Sequence, residues 1–134
     1  MERQKVLIIL SIVILFLMWN YNIYRYLKLH YDSDSEYINN YKYLKKCVDC
    51  RVVISLTTTP DRIKFIKPVI KSLLDQTVKV DQIGLNIPNN DLYKIPKSLK
   101  EMCNIFKCGR DYGPGTKFIP TILRETSANT IIIC

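Results

Sequence analysis

Near the N-terminus, Val6–Trp19 (VLIILSIVILFLMW) is apolar throughout except for Ser11. A run of this kind belongs in a membrane rather than in a small soluble core. As a helix its fourteen residues rise about 21 Å, short of the roughly 30 Å of a hydrocarbon layer. The pattern continues beyond it: Tyr21, Ile23, Tyr24 and Tyr26 interleave with Asn20 and Asn22, and with Trp19 they form an aromatic belt of the kind found at membrane interfaces. A span over 6–26 is therefore expected. Cleavage as a signal peptide would need small residues after the apolar run, whereas Met18-Trp19-Asn20-Tyr21 is bulky. Arg3 and Lys5 on one flank nearly balance Arg25 and Lys28 on the other. The expected arrangement is a short cytoplasmic tail over 1–5, a single-pass type II signal anchor, and a lumenal or extracellular domain.

Residues 27–50, rich in Tyr, Asn, Asp and Ser, read as a stem. What remains, Arg51–Cys134, is 84 residues. A domain of that size buries only about 60% of its unfolded surface.

The net charge of +8 raises the question of nucleic-acid binding, but the charge is spread along the chain instead of forming a basic block with interleaved aromatics. Lys64, Lys67 and Lys71 fall on one helix face and read as a solvated surface. A basic protein that binds nucleic acid or membrane surfaces would show binding with a steep salt dependence, and no nucleic-acid partner is expected. The five cysteines, Cys47, Cys50, Cys103, Cys108 and Cys134, lack the paired knuckles of a zinc site. Cys47-Val-Asp-Cys50 precedes a strand, whereas a thioredoxin-type pair opens a helix. Their pairing is left open. There is no Asn-x-Ser/Thr acceptor for glycosylation.

From Arg51 onward strands and helices alternate. Val52–Leu56, Gln82–Ile87, Asn104–Lys107 and Thr130–Cys134 are short apolar runs suited to strands buried on both faces. Between them, Ile63, Ile66, Ile70, Leu73 and Leu74 recur at helical spacing, with Pro68 either kinking a helix or sitting in the first turn of one that starts near Lys67. Pro96–Met102 and Thr116–Glu125 are further expected helices. This order implies an α/β fold with a mostly parallel sheet joined by right-handed crossovers. Ligands of such sheets bind beyond the carboxyl ends of the strands, which gathers the loops 57–62, 88–91 and 109–117 on one edge.

Two of these loops carry candidate chemistry. Ser55-Leu56-Thr57-Thr58-Thr59-Pro60-Asp61-Arg62 offers hydroxyls, backbone donors and a cation at a strand end. Asp111-Tyr112-Gly113-Pro114-Gly115-Thr116-Lys117 offers a carboxylate, closely approachable backbone and a second cation. A P-loop is excluded because Lys117 lacks a preceding Gly and a following Ser or Thr. A dinucleotide fingerprint is excluded because Phe118 stands where its third glycine belongs. By spacing alone, both stretches also suit a simple tight turn and a helix entry.

In order, VVISLTTTPDRI, SLLDQ, QIGLNIP, Tyr93-Lys94-Ile95-Pro96, DYGPGTKFIP and NTIIIC resemble the N-terminal portion of a glycosyltransferase family with the A-type, nucleotide-diphospho-sugar transferase fold. Type II membrane enzymes of surface-glycan pathways belong to it. The resemblance covers nearly all of Arg51–Cys134 and implies the nucleotide-sugar-binding half of a Rossmann-like domain. It implies a nucleotide-sugar donor bound by Thr57, Thr58, Pro60, Arg62, Asp111 and Lys117. In the complete fold, an acidic cluster after the last strand present here would hold Mn²⁺ or Mg²⁺ on the diphosphate. The sequence departs from the family there, reaching Cys134 with no such cluster. No catalytic or metal-binding residue is therefore assigned, and the isolated polypeptide is expected to lack transferase activity. The expected alternative is a non-catalytic membrane protein whose half-domain binds nucleotide or a partner chain covering the apolar last strand.

Overall fold

A computed structural model describes residues 2–134. The chain separates into two units, one up to Asp32 and one from Ser33 to Cys134. The first is a single helix, α1 (Glu2–Tyr31). At 30 residues it is about 45 Å long, and its apolar side chains are exposed. Its polar side chains turn back onto the helix: Ser11 Oγ donates to the Leu7 carbonyl at 2.9 Å, Asn20 Nδ2 to Phe16 at 2.8 Å and Asn22 Nδ2 to Met18 at 3.0 Å. Self-satisfied polar groups of this kind are tolerated in an apolar medium. They let the helix run unbroken through the asparagines that end the purely apolar stretch.

The second unit is an α/β domain with the element order α2 (Asp34–Lys42), β1 (Arg51–Thr57), α3 (Lys67–Leu74), β2 (Gln82–Pro88), α4 (Lys97–Met102), β3 (Asn104–Cys108), α5 (Ile119–Arg124) and β4 (Thr130–Ile133). All four strands are parallel, in the order β3-β2-β1-β4. Right-handed crossovers require α3 and α4 on one face. The chain reverses direction to reach β4, which puts α5 on the other. Ile54, Ile70, Leu74, Ile83, Leu85, Ile87 and Leu99 are buried in this small core. β4 lies at a sheet edge, and Ile131 and Ile133 are about half exposed.

Prolines set the helix starts. α3 begins at Lys67 with Pro68 in its first turn, after a 3-10 turn over Ile63–Phe65. A first-turn proline loses no helical hydrogen bond, so the apolar pattern from Ile63 divides there instead of forming one kinked helix. The helix expected over Thr116–Glu125 divides likewise into a 3-10 turn, Gly113–Lys117, and α5. Pro120 cannot donate to the Thr116 carbonyl and crowds it, so the α-helix starts only at Ile119.

Residues 34–42, read by composition as part of a stem, form α2 and pack on the domain with Tyr37 buried. This overturns the reading of Lys71 as part of a solvated face. Its side chain is 1% exposed and its ammonium lies 3.2 Å from Asp34 Oδ1 and 5.3 Å from the Tyr37 ring centroid. Lys67 pairs with the other Asp34 oxygen at 2.7 Å. An amphipathic partner helix turned the basic face into an interface, which the periodicity of α3 alone does not reveal.

Candidate functional site

The carboxyl ends of β1 and β2, together with the loop after β3, enclose a cavity of about 360 Å³ lined by Thr57, Thr58, Thr59, Arg62, Pro88, Tyr93, Asp111, Gly113 and Pro114. This size falls within the usual range of small-molecule sites. A shallower hollow against Phe65, Ile66 and Val69 shares Thr57, Thr58 and Arg62 with it. Another hollow, about 250 Å³, lies at the amino-terminal end of β2 beside Tyr41, Asp81 and Glu101. We regard the first cavity as the candidate site, because parallel α/β sheets bind ligands in the crevice beyond the carboxyl ends of their strands.

Its walls are tied down by local hydrogen bonds. Thr57 Oγ1 donates to the Asn86 carbonyl at 2.8 Å, latching β1 to β2. The Tyr93 hydroxyl donates to the Thr58 carbonyl at 3.0 Å. Burial pushes the Tyr93 phenol above its ordinary value, and the nearby Asp111 charge adds to the effect. Asp111 Oδ1 accepts from the Gly113 amide at 2.8 Å and from Thr116 Oγ1 at 3.1 Å, while Thr116 Oγ1 accepts from the Tyr112 amide at 3.0 Å. Gly113 has φ +57°, a left-handed conformation that costs glycine nothing. Both bonds to Asp111 fall on Oδ1, and among the described residues Asp111 Oδ2 takes no hydrogen bond.

Thr57, Thr58, Arg62 and Asp111 thus line one cavity, whereas Pro60 and Lys117 are not among its walls. Pro60 lies in the turn before the 3-10 segment. The Lys117 side chain is exposed, and its carbonyl accepts a short hydrogen bond from the buried Ser55 hydroxyl.

That contact belongs to a buried polar cluster that sequence reasoning missed. Ser55, Asn86 and Thr121 are fully buried. Asn86 Nδ2 donates to Ser55 Oγ at 2.8 Å and to Thr121 Oγ1 at 2.9 Å, and the two hydroxyls are 2.6 Å apart. Beside it the Arg124 guanidinium stacks 3.8 Å over the Phe106 ring. Phe106 needs the absent side chain of Gly84, whose Cβ would approach it to 3.1 Å. The available signal was a polar residue interrupting each of two apolar strands, Ser55 in VVISL and Asn86 in QIGLNIP. The strand register puts both on the same face of the sheet. The cluster pins the glycine loop and α5 onto the sheet, and so fixes one wall of the cavity.

Among the described residues, no group of three or more His, Cys, Asp or Glu side chains is arranged to hold a metal ion. The Mn²⁺ or Mg²⁺ implied for the complete glycosyltransferase fold therefore has no ligand set here. Comparison with protein-family profiles, characterised proteins and solved structures found no match.

Proposed function

We propose that this is a membrane-anchored, glycosyltransferase-like protein whose α/β domain binds the nucleotide part of a nucleotide-sugar. The observation that carries this reading is the convergence of Thr57, Thr58 and Arg62 with Asp111 and Gly113 around one cavity at the carboxyl edge of the sheet. The Asp111 Oδ2 oxygen suits ribose hydroxyls, which are donors. The Arg62 guanidinium suits a diphosphate, with its planar fork of donors. At Gly113 nothing stands within 4 Å of where a Cβ would be, so a ligand can approach its backbone closely. Transfer of the sugar would require groups beyond those in the cavity, so the proposed activity of this polypeptide is binding. Anchoring by α1 as a single-pass type II segment is proposed on its length, its exposed apolar surface and its internally satisfied Ser11, Asn20 and Asn22.

The test is isothermal titration of the full chain in detergent micelles with UDP, GDP, ADP and CMP, each with Mg²⁺ and with a chelator. Saturable binding of at least one nucleotide, largely independent of the metal, is expected. No saturable binding of any of the four would refute the reading.

A second reading rests on β4. Its edge position and half-exposed Ile131 and Ile133 suit a partner chain that covers the strand. Sedimentation of the full chain with membrane extract from its source would show a heavier species if this holds, and a micelle-sized monomer if it does not.

A further inference from the structure

β3 forms the sheet edge opposite β4, and its pairing with β2 decides which of its backbone groups stay open. The Cys108 carbonyl accepts from the Asn89 amide at 2.8 Å, so Cys108 turns its backbone toward β2. Backbone direction alternates along a parallel strand, so Asn104 and Phe106 do the same, while the amides and carbonyls of Ile105 and Lys107 point outward. The register sets Ile105 beside Leu85 and Lys107 beside Ile87. Both side chains therefore leave the sheet on the face that carries α4, opposite the cluster of Ser55, Asn86 and Thr121. Next to them, a hollow of about 390 Å³ is lined by Ile95, Lys100, Cys103, Asn104, Ile105 and Lys107. Lys100 and Lys107 are exposed, and neither pairs with a carboxylate among the described residues. Lys94 and Lys97, before and at the start of α4, are exposed and unpaired in the same sense. Glu101, the one carboxylate of α4, lines the separate hollow beside Tyr41 and Asp81.

We propose that β3 is a docking edge for an extended acidic segment of another protein, which joins the sheet as a further strand. The backbone of the segment bonds to the outward amides and carbonyls of Ile105 and Lys107. Its alternate side chains fall on the α4 face, where carboxylates meet Lys100 and Lys107 and apolar atoms rest against Ile95 and Ile105. In this mode of recognition the main-chain bonds supply affinity and the alternate side chains supply specificity.

Charge chooses the occupant. Lysines on an open edge deter strand addition, and here they deter a second copy of this chain, whose β3 would set lysine against lysine. An acidic strand reverses the sign, since opposite charges side by side on neighbouring strands attract. The edge is therefore closed to self-association and open to a carboxylate-bearing partner. It lies across the sheet from β4 and outside the walls of the candidate cavity, so this proposal depends on neither the nucleotide reading nor a partner at β4.

The test titrates the full chain in detergent micelles against a fluorescently labelled short peptide that alternates Glu with Val, read by anisotropy, with empty micelles as the blank. The comparator has the same composition with all its Glu residues in one block. Saturable binding of the alternating peptide is expected, several-fold tighter than that of the block peptide and weakened by salt. Residue-resolved hydrogen exchange with the alternating peptide bound should slow the Ile105 and Lys107 amides about ten-fold or more, and leave Phe106, already bonded to β2, little changed. Lys107→Ala should weaken binding about three-fold. Lys107→Pro also removes the outward amide, at a position where an edge strand tolerates proline, and should weaken binding about five-fold more. No saturable binding of the alternating peptide, or unchanged exchange at both amides, would overturn the proposal. Equal binding of the block peptide would overturn it too, by marking a plain polyanion surface.

Discussion

The ammonium of Lys71 lies 3.2 Å from Asp34 Oδ1 while only 1% of the lysine side chain reaches solvent. The first residue of α2 thereby stabilises a buried cation carried by α3. Removing one partner of a buried pair generally costs more than replacing the cation with an apolar side chain, because a charge is otherwise left undercompensated. Asp34→Asn should therefore destabilise the domain by about 2–3 kcal/mol, and Lys71→Met by about 1 kcal/mol or less. Urea unfolding followed by near-ultraviolet dichroism of the tyrosines would measure both. Equal losses would show that the charge pair is not what holds α2.

The same carboxylate predicts how stability responds to acid. Burial works to raise the Asp34 carboxyl, but hydrogen bonds and charge from Lys67 and Lys71 outweigh it and hold it below its ordinary 3.8. Asp81 is held low by the Val52 amide and Lys46, and Glu125 by Arg51, against an ordinary 4.5. Each folded value lies below the unfolded one, so each contribution is complete above the unfolded value and lost as pH falls through the folded one. The urea midpoint should stay flat from about pH 7 to pH 5 and fall below about pH 4. Part of that fall should be absent in Asp34→Asn.

Thr121 Oγ1 meets Asn86, Ser55 and Arg124 within the polar cluster. Thr121→Val keeps the shape but leaves buried partners short of an acceptor, at a cost of roughly 1–3 kcal/mol. Hydrogen exchange should speed up in residues 113–124 before it does in β1 or β2. Uniform acceleration across the domain would mean that the cluster supports the whole core rather than the glycine loop.

For the proposed nucleotide site, Arg62 and Lys117 are the two candidate phosphate cations. Arg62 lines the cavity and Lys117 does not, so Arg62→Ala should weaken nucleotide binding about ten-fold or more, equivalent to about 1.4 kcal/mol. Lys117→Ala should weaken it less. Thr57→Val should leave affinity nearly unchanged, since that hydroxyl donates to the Asn86 carbonyl. Titration of the three variants with the tightest-binding nucleotide would rank them, and a larger loss in Lys117→Ala would reassign the cation.

The four strands were legible because each is a short apolar run, the first three closed by Thr, Pro or Gly, and a parallel sheet follows from the helices between them. The exposed apolar helix at the N-terminus was legible for the same kind of reason, an unbroken local pattern. Less was legible where partners distant in sequence decide the outcome. Composition marked Asp34, Tyr37 and Lys42 as polar chain, yet Tyr37 is buried and Tyr41 donates to the Val80 carbonyl, 39 positions away, at 3.0 Å. Likewise, the sequence shows Lys117 only as a cation after Gly115, and gives no sign that its carbonyl accepts from the buried Ser55 hydroxyl, 62 positions away. Residue type marks chemistry, whereas the direction a side chain faces is set by packing that a single sequence does not display.

The strand order has a consequence for how the domain is made. β1, the first strand synthesised, is an interior strand of the finished sheet, flanked by β2 on one side and β4 on the other. Its partner on the β4 side arrives late: Arg51 pairs with Thr130, so the ribosome must add almost the whole domain before that flank is closed. Until then Val52, Val53 and Ile54 offer open backbone groups to any extended segment nearby. Contacts so distant in sequence form slowly, so this flank of β1 is the last part of the sheet to be paired as the chain is made.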